Sequence, residues 1–139
     1  MDQQCGGSVN AERSNDNHWA SGAIDSDPET FWHAFPSSYW NYTFGKPKAL
    51  RKITVTFKYF SHIREVEIKG KLFFGNDQWK ELERLNGKLP SADLSVDIPD
   101  TNDEQMEHYQ AIRIAIKAAE GGYVGLRDVQ FFEGRCMFP

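Results

Sequence analysis

The chain has 139 residues, 40% hydrophobic and 26% charged, a balance that suits one globular domain and excludes a disordered chain. Its formal net charge is −4 and no run of Lys or Arg exceeds two; this counts against a nucleic-acid groove and against attraction to anionic lipid. No stretch approaches the roughly 20 apolar residues that span a bilayer.

In chain order, the first 22 residues are polar and rich in Ser, Asn and Gly, and are expected to form an irregular lead-in. Trp40, Tyr42 and Phe44 then alternate with Asn41 and Thr43, the period-two pattern of a strand with one buried face. Ile53-Thr54-Val55-Thr56-Phe57 alternates in the same way. So do Arg64-Glu65-Val66-Glu67-Ile68-Lys69, Leu94-Ser95-Val96-Asp97-Ile98 and Ile112-Arg113-Ile114-Ala115-Ile116-Lys117. Gly45-Lys46-Pro47, Gly75-Asn76-Asp77, Asn86-Gly87, Pro99-Asp100 and Gly121-Gly122 punctuate these runs as turns. The helix signal is weak and is confined to a turn or two over 103–110. The spacing predicts a single all-β domain over 1–139, an antiparallel β-sandwich or barrel. Trp32, Trp40 and Trp79 stand on or beside strand patterns and are assigned to the core.

Cys5 and Cys136 lie near the two ends, with no third cysteine. No clustered ligand spacing accompanies them, so a metal site built on cysteine is not indicated. They are expected to pair as a disulfide; the other reading is two unpaired thiols. The pairing would place the chain outside the cytosol. The opening Met1-Asp2-Gln3-Gln4 has no leader pattern, so a module of a larger secreted or cell-surface protein is expected. Asn41-Tyr42-Thr43 is a glycosylation sequon.

Asp25-Ser26-Asp27-Pro28-Glu29-Thr30 gathers three carboxylates and two hydroxyls in a turning segment. Ca²⁺ takes six to eight oxygens from groups of this kind, although a solvated acidic turn has the same composition. No G-x-S-x-G, H-E-x-x-H, phosphate loop or paired-carboxylate arrangement is present, so the chain is read as not an enzyme.

Five segments together resemble the discoidin family, also called coagulation factor V/VIII type C domains, which includes the family-32 carbohydrate-binding modules. The first is Ala23-Ile24-Asp25-Ser26-Asp27-Pro28-Glu29-Thr30-Phe31-Trp32, similar to the family's opening turn followed by Thr-x-Trp. Ser26 stands where that turn usually has glycine. The second is Tyr39-Trp40-Asn41-Tyr42-Thr43-Phe44-Gly45-Lys46-Pro47, followed by the strand to Phe57. Phe74-Gly75-Asn76-Asp77-Gln78-Trp79 looks like the family's hairpin. Ala111-Ile112-Arg113-Ile114 and Leu126-Arg127-Asp128-Val129-Gln130-Phe131-Phe132-Glu133 resemble its closing strands. The likeness covers about residues 20–136 in the correct order.

The resemblance implies a jelly-roll, galactose-binding-like sandwich that binds ligands through loops at one end. It implies a structural calcium ion held by Ala23, Asp25, Asp27, Thr30 and Glu133. It also implies ligand contacts from His33, which directly follows Thr-x-Trp. Further candidates are Tyr39, Tyr59, His62, Arg64 and Tyr123, which supply aromatic faces and directional donors for a sugar. Three partner classes follow by analogy: a glycan first, then a cell-surface or matrix protein, then a phospholipid surface met by Phe60, Ile63 and Tyr123 as apolar tips. The acidic net charge counts against membrane insertion, and a monomeric module is expected.

Overall fold

The computed structural model describes residues 7–11, 32–34, 38–72, 78–98, 108–120 and 123–132. They form nine strands: β1 (Ser8–Ala11), β2 (Trp32–Ala34), β3 (Ser38–Ala49), β4 (Lys52–Lys58), β5 (Ile63–Leu72), β6 (Trp79–Asn86), β7 (Asp93–Asp97), β8 (His108–Ala119) and β9 (Val124–Phe132). A short 3-10 helix, Phe60–His62, joins β4 to β5. All pairings are antiparallel. One sheet has the order β1-β3-β8-β5-β6 and the other β2-β9-β4-β7. Of the two architectures that the alternation allows, this is the sandwich, as the family resemblance implies.

The alternation explains which side of each strand is buried. Successive strand side chains point to opposite faces. In β4, Ile53, Val55 and Phe57 are buried while the residues between them are half-buried. In β8, Ile112, Ile114 and Ile116 have no exposed surface, and Ile68 of β5 and Trp40 of β3 join them. From the other sheet come Trp32, Leu126, Val129 and Phe131. Tyr42, Phe44 and Phe131 meet across the two sheets with ring centres 5.1 to 5.5 Å apart, in tilted and edge-on arrangements. Such pairs add about 0.5–1.5 kcal/mol beyond their area. Gly70 is required here, because a Cβ on it would come within 2.5 Å of the buried Tyr109 ring.

Three elements differ from the sequence expectations. Part of the polar lead-in is a strand: Ser8–Ala11 pairs with Thr43–Trp40 at the sheet edge, where backbone hydrogen bonds suffice and polar side chains are tolerated. Residues 108–110, expected within a helical turn, open β8 instead, because His108 and Tyr109 pair with Ala49 and Lys48 on β3. Trp79 is half-buried on the outer face rather than in the core. It pairs with Lys71, which shares a face with Lys69 and Glu67.

That outer face carries one buried carboxylate. The Glu67 side chain is only 4% exposed, and Lys69 and Lys117 approach its Oε1 at 3.3 and 3.2 Å. Arg84 binds its Oε2 and also reaches Glu65 at 3.8 Å and Glu81 at 2.8 Å. Burial pushes the Glu67 carboxyl pKa up, but hydrogen bonds and charges from Lys117 and Lys69 outweigh it and hold the group below its ordinary value. A depressed carboxylate stabilises the fold above its unfolded pKa, and the contribution is lost as pH falls through the folded pKa. Glu67→Gln is therefore expected to cost about 1–3 kcal/mol near neutral pH and to flatten the acid limb of the stability curve. Urea titrations of both proteins at a series of pH values from neutral down into the acid range check this.

Candidate functional site at one end of the sandwich

Several connections converge at the end of the sandwich where β4 and β8 finish and β5 and β9 begin. Lys58 pairs with Gly125 and Ile63 with Ala119. Backbone bonds tie the turns together: Glu120 N donates to His62 O at 2.7 Å, Gly87 N to Arg64 O at 2.7 Å, and Phe57 N to Ala92 O at 2.8 Å. The β8–β9 turn and the β6–β7 loop are thereby joined to the β4–β5 turn. Gly125 lets β2 approach, because a Cβ there would collide with the Trp32 carbonyl oxygen. His33 pairs with Gly125 on β9, two residues from Tyr123.

The β4–β5 turn has an unusual backbone. Tyr59 adopts φ 60°, ψ 40°, and is the one non-glycine residue with positive φ among those described. A side chain in this left-handed region costs about 1–2 kcal/mol, and residues held this way cluster at functional sites. The conformation closes the turn through His62 N donating to Tyr59 O at 3.1 Å. It also lays the Tyr59 ring against the imidazole of His62, 6.1 Å between centres and within 6° of parallel. Lys58 Nζ stands 5.4 Å from the Tyr59 ring centre. Tyr59 and Tyr123 are 36% and 40% exposed, so both present aromatic surface to a ligand.

Polar groups border these rings. His62 Nδ1 is buried with no hydrogen-bond partner among the described residues. Arg64 is fixed from two sides: Nη1 donates to the carbonyls of Ser61 and Ile63 at 2.7 and 3.1 Å, and Nη2 to Glu120 Oε2 at 2.9 Å. The Glu120 side chain is 75% exposed, leaving acceptor capacity on its carboxylate. The end thus offers aromatic faces, a fixed guanidinium and a carboxylate, which together suit a ligand with an apolar face and several hydroxyls.

Of the ligand candidates read from sequence, Tyr59, His62, Arg64 and Tyr123 lie at this end, with the backbone of His33 beside them. Tyr39 is placed elsewhere, on the outer face of the five-stranded sheet against Arg113. Ile63 is fully buried, and Phe60 is partly buried against the core, so neither is the protruding tip that the phospholipid reading needs. Sequence reasoning missed Lys58 and Glu120. Glu120 has its partner, Arg64, on another turn, Lys58 meets the ring of its own neighbour Tyr59, and only adjacency to the Tyr59 and Gly121-Gly122 turns marked them. Ala23, Asp25, Asp27, Thr30, Glu133, Cys5 and Cys136 lie outside the described residues. Among the described residues no cluster of three metal-ligating side chains occurs and no helix is long and apolar enough to cross a membrane.

Comparison with solved structures places this architecture. A family-32 carbohydrate-binding module of NanJ from Clostridium perfringens, solved with galactose, superposes with a TM-score of 0.74 at 17% identity, covering 94% of this chain and 96% of that one. The chain has the discoidin fold. An F5/8 type C domain from Bacteroides fragilis gives a TM-score of 0.68 at 19% identity, over 92% of this chain and 91% of that one. A chitosan-binding module from a Paenibacillus chitosanase/glucanase gives 0.76 at 9% identity, over 94% and 98%. No family model and no curated protein matches the sequence. The discoidin fold is therefore carried here by a sequence far from its structural neighbours.

The strained turn gives a test of its own. Tyr59→Gly removes the left-handed penalty while adding unfolded-state entropy of about 0.4–1 kcal/mol, so its stability is expected within about 1 kcal/mol of the wild type. Tyr59→Val raises the penalty, because a β-branched side chain fits the left-handed region worse than tyrosine does, and is expected to lose about 1–2 kcal/mol. Urea denaturation of the two variants checks the order.

Proposed function

We propose that the chain is a non-catalytic extracellular binding module that recognises a glycan through the loop end built by Tyr59, His62, Arg64 and Tyr123. The observation that carries this reading is the parallel Tyr59–His62 pair. It sits on a backbone that glycine would occupy at lower cost, with the tyrosine 36% exposed and a fixed arginine–glutamate pair beside it. A pyranose presents an apolar C–H face to an aromatic ring and hydroxyls to donors and acceptors at the rim. Arg64 supplies donors and Glu120 acceptors. The neighbouring folds solved with galactose or described as chitosan-binding support the same ligand class.

The test is a glycan-array screen of the folded domain, followed by calorimetry on the best ligand. Tyr59→Ala is expected to weaken binding by about tenfold, with His62→Ala, Tyr123→Ala and His33→Ala also weakening it. A blank array, or binding that none of the four variants alters, removes the glycan reading and moves the choice to a protein partner on the same loops.

The proposal includes a structural calcium ion held by Ala23, Asp25, Asp27, Thr30 and Glu133, and a Cys5–Cys136 disulfide closing the ends. Glu133 directly follows β9, and Thr30 stands two residues before β2, strands that pair with each other. An ion bound to the native state alone raises stability by mass action. Millimolar calcium is expected to raise the thermal midpoint by several degrees, and a chelator to return it. Reduction of the disulfide is expected to cost about 4–5 kcal/mol in the chain-entropy picture. Melting curves under the four combinations of calcium, chelator, oxidant and reductant check both.

A further inference from the structure

The outer face of the five-stranded sheet carries a second constellation that the loop end does not use. Arg113 on β8 stands between two rings, its guanidinium carbon 4.3 Å from the Tyr39 ring centre and 4.6 Å from that of Trp79. The register explains the arrangement. Arg113 is opposite Asn41 on β3 and Lys69 on β5. Tyr39 comes from the β3 side, and Trp79 of β6, opposite Lys71, reaches back across β5. Arg113 Nε donates to Asn41 Oδ1 at 2.8 Å, which fixes the fork. Its terminal nitrogens have no hydrogen-bond partner and no carboxylate among the described residues.

Charge accounting makes this unusual. The described carboxylates beside it are already engaged: Glu67 by Lys69, Lys117 and Arg84, and Glu81 by Arg84. Lys71, on the Glu67 and Lys69 side of β5 and next to Trp79, also lacks a carboxylate partner among the described residues. Although the chain's net charge is −4, two cations around an aromatic pair have no carboxylate partner among the described residues. Rings on either side of a guanidinium keep its faces dry and leave its edge for hydrogen bonding. That edge matches a carboxylate or sulfate with two parallel N–H···O bonds. A fork already held by Asn41 and two rings loses little freedom on binding.

We propose that Tyr39, Arg113, Trp79 and Lys71 form a second binding site, separate from the loop end, for the carboxylate or sulfate of an acidic sugar. Arg113 grips the oxyanion, Lys71 adds charge, and the ring edges of Tyr39 and Trp79 flank the sugar. The oxyanion rests on Arg113 itself. The choice of a sugar as its carrier rests on the glycan reading of the domain.

The experiment is titration of the ¹⁵N-labelled domain, followed by calorimetry, with four probes: tetragalacturonic acid, a sulfated galactose tetrasaccharide, an uncharged galactose tetrasaccharide and a tetra-aspartate peptide. At least one acidic saccharide is expected to shift the Arg113 Nε–H and Trp79 indole N–H resonances. The carboxylate and sulfate probes show which oxyanion fits better. Arg113→Gln is expected to weaken that binding at least tenfold, and Arg113→Lys less. The resonance shifts locate the site in the wild-type protein even where Arg113→Gln does not fold. If neither acidic saccharide moves the Arg113 and Trp79 signals, or Arg113→Gln in folded form binds as the wild type does, the proposal is overturned. Equal binding of tetra-aspartate overturns the sugar assignment. Neutral-sugar binding at the loop end with silent Arg113 and Trp79 signals sinks this site alone. Acidic-sugar binding at Arg113 without any loop-end ligand sinks the loop reading and leaves this one standing.

Discussion

The backbone ladder between β4 and β9 puts Lys58 opposite Gly125, and the geometry of the loop end follows from that pairing. Tyr59 is the first residue beyond the ladder on one strand, and Tyr123 lies just beyond it on the other. Chain reversal into β5 must happen within the few residues before Ile63, which is fully buried and therefore fixed. The left-handed turn at Tyr59 meets that constraint and lays the ring flat against His62. Gly125 serves the same end from below. Its missing side chain lets β2 close against β9 and brings His33 to the rim. Rigid strands thus hold a small number of loop residues in place, the arrangement expected where binding is done by loops on a scaffold.

Most of the sandwich was legible because its two faces differ chemically. β4 and β8 alternate between apolar and polar residues along their length, and that pattern identifies both the strand and its buried side. β1 was not legible, since an edge strand in Ser-Val-Asn-Ala is held by backbone bonds and leaves little mark on side-chain pattern. Trp79 was misplaced for a different reason. β6 carries a bulge at Leu82, where the pairing with β5 shifts between Ile68–Glu83 and Lys69–Glu81, so Trp79 and Leu85, which simple alternation would put on one face, lie on opposite ones. Nothing in residues 79–82 marks that bulge, so alternation alone could not place Trp79. At the loop end, the aromatic and basic candidates were visible as residue types. Their convergence was not, because it depends on three turns far apart in sequence meeting through Glu120 N and Gly87 N. Nothing in the run Lys58-Tyr59-Phe60 announces a left-handed residue, since neither glycine nor asparagine stands there.

The outer face of the larger sheet shows how a buried charge is tolerated. Glu67 gives up most of its water, and three cations from three different strands replace it. Removing one partner from such a group costs more than the group contributes by being there. The network therefore reads as a device that fixes the register of β5 against β6 and β8 more than as a source of net stability. It also consumes the local carboxylates, which is why Arg113, one row away, is left with rings and an amide for company.

Arg64 and Arg113 make the contrast plain. Arg64 is already neutralised by Glu120 and pinned to two carbonyls, so an incoming anion would have to displace a partner, whereas a hydroxyl can add to the pair without breaking it. Arg113 is held by groups that carry no charge, so its own charge is undiminished and directed outward at the edge. One chain thus presents two arginines of opposite disposition, one suited to neutral polyols and one to oxyanions. The difference comes from what the neighbouring strands place beside each guanidinium rather than from the residue itself.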